Sequence, residues 1–307
     1  MNHVISTKEF SRKFIDRLFR IADSLNFKND NTKILRNKVM ASLFYEPSTR
    51  TRFSFELAML KLGGHVISTE NAKEFSSVAK GETLEDTIRV VNSYADVIVL
   101  RHFEKGSAKK ASLVSRVPVI NAGDGPGEHP TQALLDLYTI YKKFKKIDGL
   151  SIALCGDLKY SRTLHSLVYI LSLYKNIKFY LVSPPQLRLP RELKNYMDSQ
   201  GMSYEELNAI GPIISKAHIF SQTRVQKERF SKVSHYEKVK NSVVISPELI
   251  SKMRKDAIIM HPLPRNDEIP VEIDNDPRAV YFDQIGHGLL IRAALLKLIL
   301  TNKKPRI

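Results

Sequence analysis

Short apolar runs alternate with helical segments along the chain, and this alternation restricts the fold more than any other feature. Residues 39–44, 97–100 and 117–120 are continuous apolar runs of strand length, separated by segments with helical periodicity. Continuous apolarity is typical of strands that are buried on both faces of a parallel sheet. The pattern therefore predicts an α/β fold with parallel strands.

The same alternation begins again in the second half of the chain. The strands predicted there cover residues 151–155, 178–182, 218–221 and 257–260. A predicted helix that begins near Pro130 joins the two halves, and 307 residues are enough for two cores of ordinary domain size. We therefore predict two α/β domains joined by a long helix.

Composition limits the class of protein. With 43% hydrophobic and 26% charged residues, and no apolar run near the ~20 residues of a membrane span, the chain is expected to be globular, with no membrane as partner. Cys155 is the single cysteine, which excludes an internal disulfide framework and a cysteine-based zinc site. Because the first residues contain no apolar signal-peptide segment, we expect a cytoplasmic location.

The net charge of +16 would suit nucleic acid, an acidic partner chain or anionic substrates. Much of the excess lies in lysine pairs such as Lys109-Lys110 and Lys142-Lys143, and no cluster of basic and aromatic residues accompanies them. This distribution is typical of solvated surfaces. Nucleic acid is therefore not the expected partner.

Residues 44–64 contain the clearest candidate binding site. Ser48, Thr49, Arg50 and Thr51 follow an apolar strand and begin a predicted helix, with Ser48 as its N-cap. The apolar stripe of this helix comprises Phe53, Leu57 and Leu60. A helix N-terminus offers unpaired N–H groups and a positive dipole end, so the stretch predicts a phosphate site. An ordinary capped helix with solvated arginines would have the same local sequence.

Polar residues also follow the other predicted strands of the first half. Arg101 comes at the end of strand 97–100, and His129 and Gln132 begin the helix after strand 117–120. In open α/β sheets, ligands bind at the carboxyl ends of the strands. These residues are therefore candidates for the same site, although a histidine at a helix start is also an ordinary cap.

In the second half, Arg224 and Gln226 lie two residues apart after a predicted strand. In extended backbone this spacing places both side chains on one face, where they can bind one carboxylate. A charged surface loop is the alternative interpretation. After strand 151–155 the chain lacks a G-x-G-x-x-G pattern, so no nicotinamide or flavin cofactor is expected.

Taken together, the motifs resemble those of the aspartate carbamoyltransferase family. They are Phe44-Tyr-Glu-Pro-Ser-Thr-Arg-Thr, Lys80-Gly-Glu-Thr, Arg101-His102, His129-Pro-Thr-Gln, Gly156-Asp-Leu-Lys-Tyr-Ser-Arg-Thr, Thr223-Arg-Val-Gln-Lys-Glu-Arg and His261-Pro-Leu-Pro-Arg. Their order and spacing match the family along nearly the whole chain. The resemblance implies two doubly wound parallel-sheet domains joined by a long helix, with a C-terminal helix that returns to the first domain. Residues 1–134 and 289–307 would bind carbamoyl phosphate, and residues 135–288 would bind aspartate.

The resemblance also implies roles for the matching residues. Those that bind carbamoyl phosphate would be Ser48, Thr49, Arg50, Thr51, Arg101, His129, Gln132 and the backbone of Leu263 and Pro264. Those that bind aspartate would be Lys80, Arg162, Arg224 and Gln226. Ser76 and Lys80 would reach the site of a neighbouring subunit. The catalytic residues would be Arg50, Thr51, Lys80, Arg101 and His129, and the reaction needs neither a metal nor a cofactor.

The implied reaction transfers the carbamoyl group of carbamoyl phosphate to L-aspartate, a step of pyrimidine biosynthesis. The implied assembly is a homotrimer with shared active sites, and the basic charge permits acidic regulatory chains as partners. The nearest rival is ornithine carbamoyltransferase, which shares two of the motifs but takes a cationic second substrate. Arg224 and Lys80 argue against this rival, as does Pro262, because the rival family typically has cysteine there.

Overall fold

A computed structural model describes residues 3–27, 33–72 and 81–301 of the chain. The chain divides into two compact units, Met1–Leu135 with Ile285–Ile307 and Asp136–Gln284. The sequence-based boundaries, after residues 134 and 288, lie one residue before and four residues after these divisions. Each unit contains its own sheet.

The first unit has a sheet of four described strands. All four strands, and most helices of the unit, lie before residue 136. Its strands are β1 (Val39–Phe44), β2 (His65–Glu70), β3 (Val97–His102) and β4 (Val119–Asp124). Its helices are α1 (Arg12–Ser24), α2 (Thr49–Lys61), α3 (Leu84–Val91) and α4 (Ser107–Val114), and α5 (Pro130–Phe144) continues across the division.

The second unit has a sheet of five described strands. They are β5 (Ser151–Cys155), β6 (Lys178–Val182), β7 (Ser203–Leu207), β8 (Ile219–Gln222) and β9 (Ile258–Met260). The helices are α6 (Arg162–Leu171), α7 (Arg191–Ser199), α8 (Val233–Glu237) and α9 (Pro247–Ser251), followed by α10 (Asp283–Thr301), most of which belongs to the first unit.

Both sheets are entirely parallel and doubly wound. The strand order is β2-β1-β3-β4 in the first unit and β7-β6-β5-β8-β9 in the second. The direction of winding therefore reverses between β1 and β3 in one sheet and between β5 and β8 in the other. These two switch points are where open α/β sheets bind ligands. The predicted fold class is confirmed, including the C-terminal helix that returns to the first unit.

Each sheet is buried between helices, which explains the continuous apolar runs. In the first unit, Ile98 and Val119 of the sheet pack with Ile88 of α3 and Ala111 of α4. In the second unit, Cys155 belongs to the main core cluster and is fully buried. Burial raises the pKa of the Cys155 thiol, which therefore stays protonated.

Helix α2 packs on a different face from the one the sequence suggested. Phe53, Leu57 and Leu60 are 54%, 42% and 55% exposed, whereas Phe55 and Met59 are fully buried. Both sets have helical spacing, so the helix has two apolar stripes and the sequence pattern does not distinguish them. The predicted stripe is therefore the outer one.

The predicted first and last helices have different bounds in the structure. The periodicity of residues 7–25 predicts a single helix. In the structure a short 3₁₀ helix, Thr7–Glu9, precedes α1, and the Ser11 hydroxyl caps α1 by accepting from the Phe14 amide at 3.2 Å. Helix α10 begins at Asp283 rather than at residue 289. Two glycines in its first turns, including Gly288, obscured the helical pattern. A Cβ at Gly288 would lie 3.1 Å from the Leu135 side chain, so close packing explains this glycine.

Helix α10 is also long and apolar enough to cross a membrane by length and composition. In the structure, 61% of its most apolar window is buried inside the protein. It also carries Arg292 and Lys297. The core helix of a globular protein passes the same test of length and composition, so this helix is weak evidence for a membrane span.

Candidate active site

The first switch point brings Arg101 beside the start of α2. Phe44 at the end of β1 pairs with Arg101 at the end of β3, and the Tyr45 amide donates to the Arg101 carbonyl at 2.9 Å. Because α2 begins only a few residues after β1, its N-terminus lies at the same edge of the sheet. The two motifs that the sequence placed on separate strands are therefore neighbours.

The N-terminus of α2 presents hydroxyl and amide groups. Ser48 occupies the N-cap position, but its hydroxyl makes no capping hydrogen bond, which differs from the predicted cap. The first intrahelical bond runs from the Arg52 amide to the Ser48 carbonyl at 3.1 Å. The amides before Arg52 therefore have no helical acceptor. Thr49 and Arg50 are exposed, and Thr51 is buried. An uncommitted hydroxyl and amides beside a positive helix end suit a phosphate.

Arg101 is held in place by contacts on both sides of its strand. Its Nε lies 3.5 Å from Oε2 of Glu46, and its Nη1 donates to the carbonyl of Ala122 on β4 at 3.4 Å. The side chain is only 15% exposed. A guanidinium fixed in this way is a pre-oriented partner for an anion, because little conformational freedom remains to be lost on binding.

His129 and Gln132 lie at the start of α5, as predicted. Both side chains are buried, and the Gln132 amide donates to the His129 carbonyl at 3.0 Å. The Thr131 hydroxyl lies 3.5 Å from Nδ1 of His129. When that hydroxyl donates to Nδ1, the imidazole proton is on Nε2, which can then donate to a ligand oxygen.

The loop before His129 is anchored by a residue that the sequence did not indicate. The Glu128 carboxylate accepts from the Ser6 hydroxyl at 2.5 Å and from the Thr7 amide at 2.9 Å. The Glu128 amide in turn donates to Asp124 at 2.8 Å. These partners lie far away in sequence or within the loop, so periodicity gives no signal for them. Glu128 therefore fixes the backbone directly beside His129.

The second switch point is organised around Asp157, which is fully buried at the end of β5. Its carboxylate accepts from the Tyr160 amide at 2.9 Å and from the Gln226 amide at 3.4 Å. Burial raises the pKa of Asp157, and these amide hydrogen bonds oppose the shift. Asp157 therefore ties the loop that leads to Arg162 to the loop that contains Gln226.

Arg224 and Gln226 lie on one face of an extended segment after β8. Val225, between them, is buried and packs against Leu187 and Val239, whereas its two neighbours are half-buried. Arg162 is the first residue of α6 and is also half-buried. The second unit thus places these three predicted aspartate-binding residues around the β5–β8 switch point.

Arg224 already holds a carboxylate. Its Nη2 and Nη1 donate to the two oxygens of Glu228 at 2.5 and 3.1 Å. The hydrogen bonds that Arg224 donates to Glu228 raise the pKa of Arg224 further. The guanidinium is therefore oriented for bidentate carboxylate recognition, and a substrate carboxylate has to share it with Glu228 or displace Glu228.

The remaining predicted residues follow β9 or lie outside the described chain. Leu263 and Pro264 form the turn after β9, where Leu263 is half-buried and Pro264 is exposed. Ser76 and Lys80 lie outside the described residues. Within residues 3–27, 33–72 and 81–301, no group of three or more His, Cys, Asp or Glu side chains is arranged to hold a metal ion.

Family comparison matches the two halves of the chain separately. Residues 2–142 match the family described as aspartate/ornithine carbamoyltransferase, carbamoyl-P binding domain, and residues 148–299 match the corresponding Asp/Orn binding domain. The chain is 51% identical to the chloroplastic aspartate carbamoyltransferase of Arabidopsis thaliana over 306 residues, which cover 98% of this chain and 78% of that protein.

Solved structures are similar over almost the full length. The catalytic subunit of aspartate transcarbamoylase from Methanocaldococcus jannaschii is 48% identical, with a TM-score of 0.91 and coverage of 98% of this chain and 99% of that one. The Trypanosoma cruzi enzyme, solved with carbamoyl phosphate and aspartate, is 37% identical, with a TM-score of 0.89 and 97% of each chain covered. The chain therefore belongs to the aspartate/ornithine carbamoyltransferase family, among its aspartate carbamoyltransferases.

Proposed function

We propose that the first unit binds carbamoyl phosphate, that the second binds L-aspartate, and that the chain transfers the carbamoyl group to the aspartate amino group. The products are N-carbamoyl-L-aspartate and phosphate, and the reaction belongs to pyrimidine biosynthesis. One observation carries the proposal: each sheet has two arginines at its switch point, Arg50 and Arg101 in the first unit and Arg162 and Arg224 in the second. The named substrates of the relatives support the same assignment.

The charges of the substrates explain why so many fixed cations are needed. Carbamoyl phosphate carries a phosphate group and aspartate carries two carboxylates, so bringing them together costs electrostatic energy. Pre-oriented arginines and amides offset that cost without reorganising during the reaction. In this proposal, Ser48, Thr49 and Arg50 bind the phosphate group, Arg162 binds the aspartate α-carboxylate, and Arg224 with Gln226 binds the β-carboxylate.

The chemical step requires donors at the carbamoyl oxygen. The neutral amino group of aspartate attacks the carbamoyl carbon, the oxygen gains negative charge, and the bond to the phosphate oxygen breaks as phosphate leaves with the amine proton. Thr51, Arg101 and Nε2 of His129 stabilise the developing charge, and Gln132 binds the carbamoyl NH2 with the backbone of Leu263 and Pro264. Both reacting groups belong to substrates, so catalysis is positioning and electrostatic stabilisation.

Ornithine is the alternative acceptor, because one family description covers both activities. Ornithine offers a cationic side chain to the second unit. Arg224 would repel that cation. Its bidentate pair with Glu228 shows that the guanidinium is oriented to bind a carboxylate. The structure therefore favours aspartate.

We also propose the homotrimer with shared sites. Phe53, Leu57 and Leu60 form an exposed apolar stripe on α2. An exposed apolar stripe on a helix suits burial against a second copy of the chain. Ser76 and Lys80 would then serve the neighbouring site. Regulatory chains are likewise a proposal, supported by the name of the M. jannaschii relative, a catalytic subunit. A cytoplasmic location is a further proposal that agrees with the single, buried and reduced cysteine, whereas the plant relative is named chloroplastic.

Arg224→Ala is expected to impair the use of aspartate selectively. Losing a bidentate contact to a substrate carboxylate costs about 2 to 5 kcal/mol, or roughly a 30-fold or larger rise in the KM for aspartate. The KM for carbamoyl phosphate should stay within about threefold, since Arg224 does not belong to the unit that binds it. Steady-state kinetics with each substrate varied in turn measures both values.

The matched control is Arg254→Ala. Arg254 also makes a bidentate pair, with both nitrogen–oxygen distances to Asp256 at 2.9 Å, but it precedes β9 instead of following a strand at the switch point. This control should retain both KM values. An equal loss for the two substrates in Arg224→Ala would contradict the division of roles between the units.

A further inference from the structure

The turn after β9 has a strained backbone at the residue proposed to contact the substrate. Leu263 has a φ of 52°, in the left-handed region that leucine rarely adopts. Non-glycine residues remain in this region only where the surrounding structure holds them there. Neighbouring groups must therefore hold Leu263 in this conformation.

His261 and Glu268 are the groups that do so. The Leu263 amide donates to Nδ1 of His261 at 2.8 Å, and Nε2 of His261 lies 2.9 Å from Oε1 of Glu268. Because Nδ1 accepts, the imidazole proton must be on Nε2, which donates to the carboxylate. The same Glu268 oxygen accepts from the Asn266 amide at 3.0 Å. The ring and the carboxylate thus bind both ends of the turn.

The His261–Glu268 pair is buried, and the backbone of His261 is anchored by Gln284. His261 is 2% and Glu268 is 3% exposed. The His261 amide donates to Oε1 of Gln284 at 2.9 Å, and Nε2 of Gln284 donates to Asp136 at 2.7 Å. Burial alone would raise the pKa of Glu268, but the hydrogen bonds from His261 and the Asn266 amide leave it below its usual value. The carboxylate therefore stays ionised and keeps its acceptor role.

We infer that His261 and Glu268 are a positioning pair that holds the Leu263 carbonyl where it accepts a hydrogen bond from the carbamoyl NH2 group. The inference rests on the proposed function, and it assigns a role to two residues that touch neither substrate. A buried polar pair is not needed for stability, because apolar residues of similar volume are often as stabilising. Fixing one strained backbone conformation is a role that such apolar residues could not perform.

Four variants separate positioning from simple stabilisation. Glu268→Met and His261→Met remove the hydrogen bonds. Glu268→Gln keeps an acceptor oxygen for both of its donors. His261→Asn keeps an acceptor near the position of Nδ1 but loses the bond to Glu268. Because a misplacement of ~1 Å can cost ~100-fold in rate, the two methionine variants should lose roughly 100-fold in kcat. His261→Asn should lose about tenfold, and Glu268→Gln should stay within about threefold of wild type.

The inhibition constant of inorganic phosphate distinguishes a positioning role of the pair from a purely structural role. Phosphate is a reaction product whose proposed ligands all belong to the first unit, so its inhibition constant should stay within about threefold in every variant. His218→Met is the matched control, because Nδ1 of His218 also accepts from a backbone amide, that of Ser151 at 3.1 Å, but at the amino end of β8. This control should lower the melting temperature without lowering kcat.

Two results would overturn the inference. One is that the methionine variants lose thermal stability while keeping the wild-type kcat. The other is that Glu268→Gln is as impaired as Glu268→Met, which would mean that charge and not position matters. If the methionine variants do not fold, full activity of His261→Asn would also overturn the inference. Failure of the proposed function is a different result, namely a folded wild-type protein that does not carbamoylate aspartate.

Discussion

Arg50→Ala is expected to abolish useful activity. Arg50 lies in the first turn of α2, at the switch point where Arg101 also lies, and it is proposed to bind the phosphate group. Removing a charge-assisted contact from a site that excludes water costs about 2 to 5 kcal/mol. This corresponds to a loss of roughly 30- to 5,000-fold in kcat/KM.

The measurement is kcat/KM for carbamoyl phosphate, from steady-state turnover with carbamoyl phosphate varied and aspartate saturating. Arg20→Ala is the control, because Arg20 is an exposed helical arginine on α1 whose Nε donates to the carbonyl of Asp16 at 3.4 Å. Both variants should fold, since neither position is buried. Turnover near the wild-type level in Arg50→Ala would refute the phosphate assignment at the start of α2.

Mixing two inactive variants is expected to restore activity. The family resemblance assigns Lys80 to the active site of a neighbouring subunit, whereas Arg50 serves its own chain. Lys80→Gln and Arg50→Ala homotrimers should therefore each be inactive. After dissociation and reassociation, every trimer that contains both kinds of chain has one interface with both residues intact. In an equal mixture that reassociates at random, about three quarters of the trimers contain both kinds of chain, so the recovered activity should approach, and not exceed, about one quarter of that of the wild type.

The control for this experiment mixes Arg50→Ala with Arg224→Ala. Both residues are assigned to the chain that binds the substrates, so no combination of these chains contains an intact site, and activity should not return. Native mass spectrometry verifies that chains have exchanged. If the Lys80→Gln and Arg50→Ala mixture stays inactive despite exchange, Lys80 does not act across a subunit boundary.

Much of the fold could be predicted from the sequence because parallel strands give a strong local signal. Residues 39–44, 151–155 and 178–182 were predicted as strands with the bounds that the structure has. Their continuous apolarity reflects burial on both faces, which depends on little beyond the strand itself. The positions of Arg101 and Arg224 followed from the same argument, since each comes directly after or at the end of a strand.

The packing face of α2 and the anchoring contacts could not be predicted. Two apolar stripes on α2 satisfy the same periodicity, and only the sheet determines that Phe55 is buried and Phe53 is not. The contact between Glu128 and Ser6 joins residues 122 positions apart. No pattern along the chain encodes such a pair, because tertiary structure alone brings its members together. The His261–Glu268 pair is closer in sequence but lies in irregular backbone, where no period applies.

The proposed function requires the second unit to select an anionic acceptor for the carbamoyl group. The most direct measurement supplies the purified chain with carbamoyl phosphate and equal concentrations of L-aspartate and L-ornithine, and quantifies both carbamoylated products by mass spectrometry. We expect N-carbamoyl-L-aspartate with release of one phosphate per product, and no citrulline above the uncatalysed background. Citrulline as the main product, or phosphate release without a carbamoylated amino acid, would contradict the proposed function.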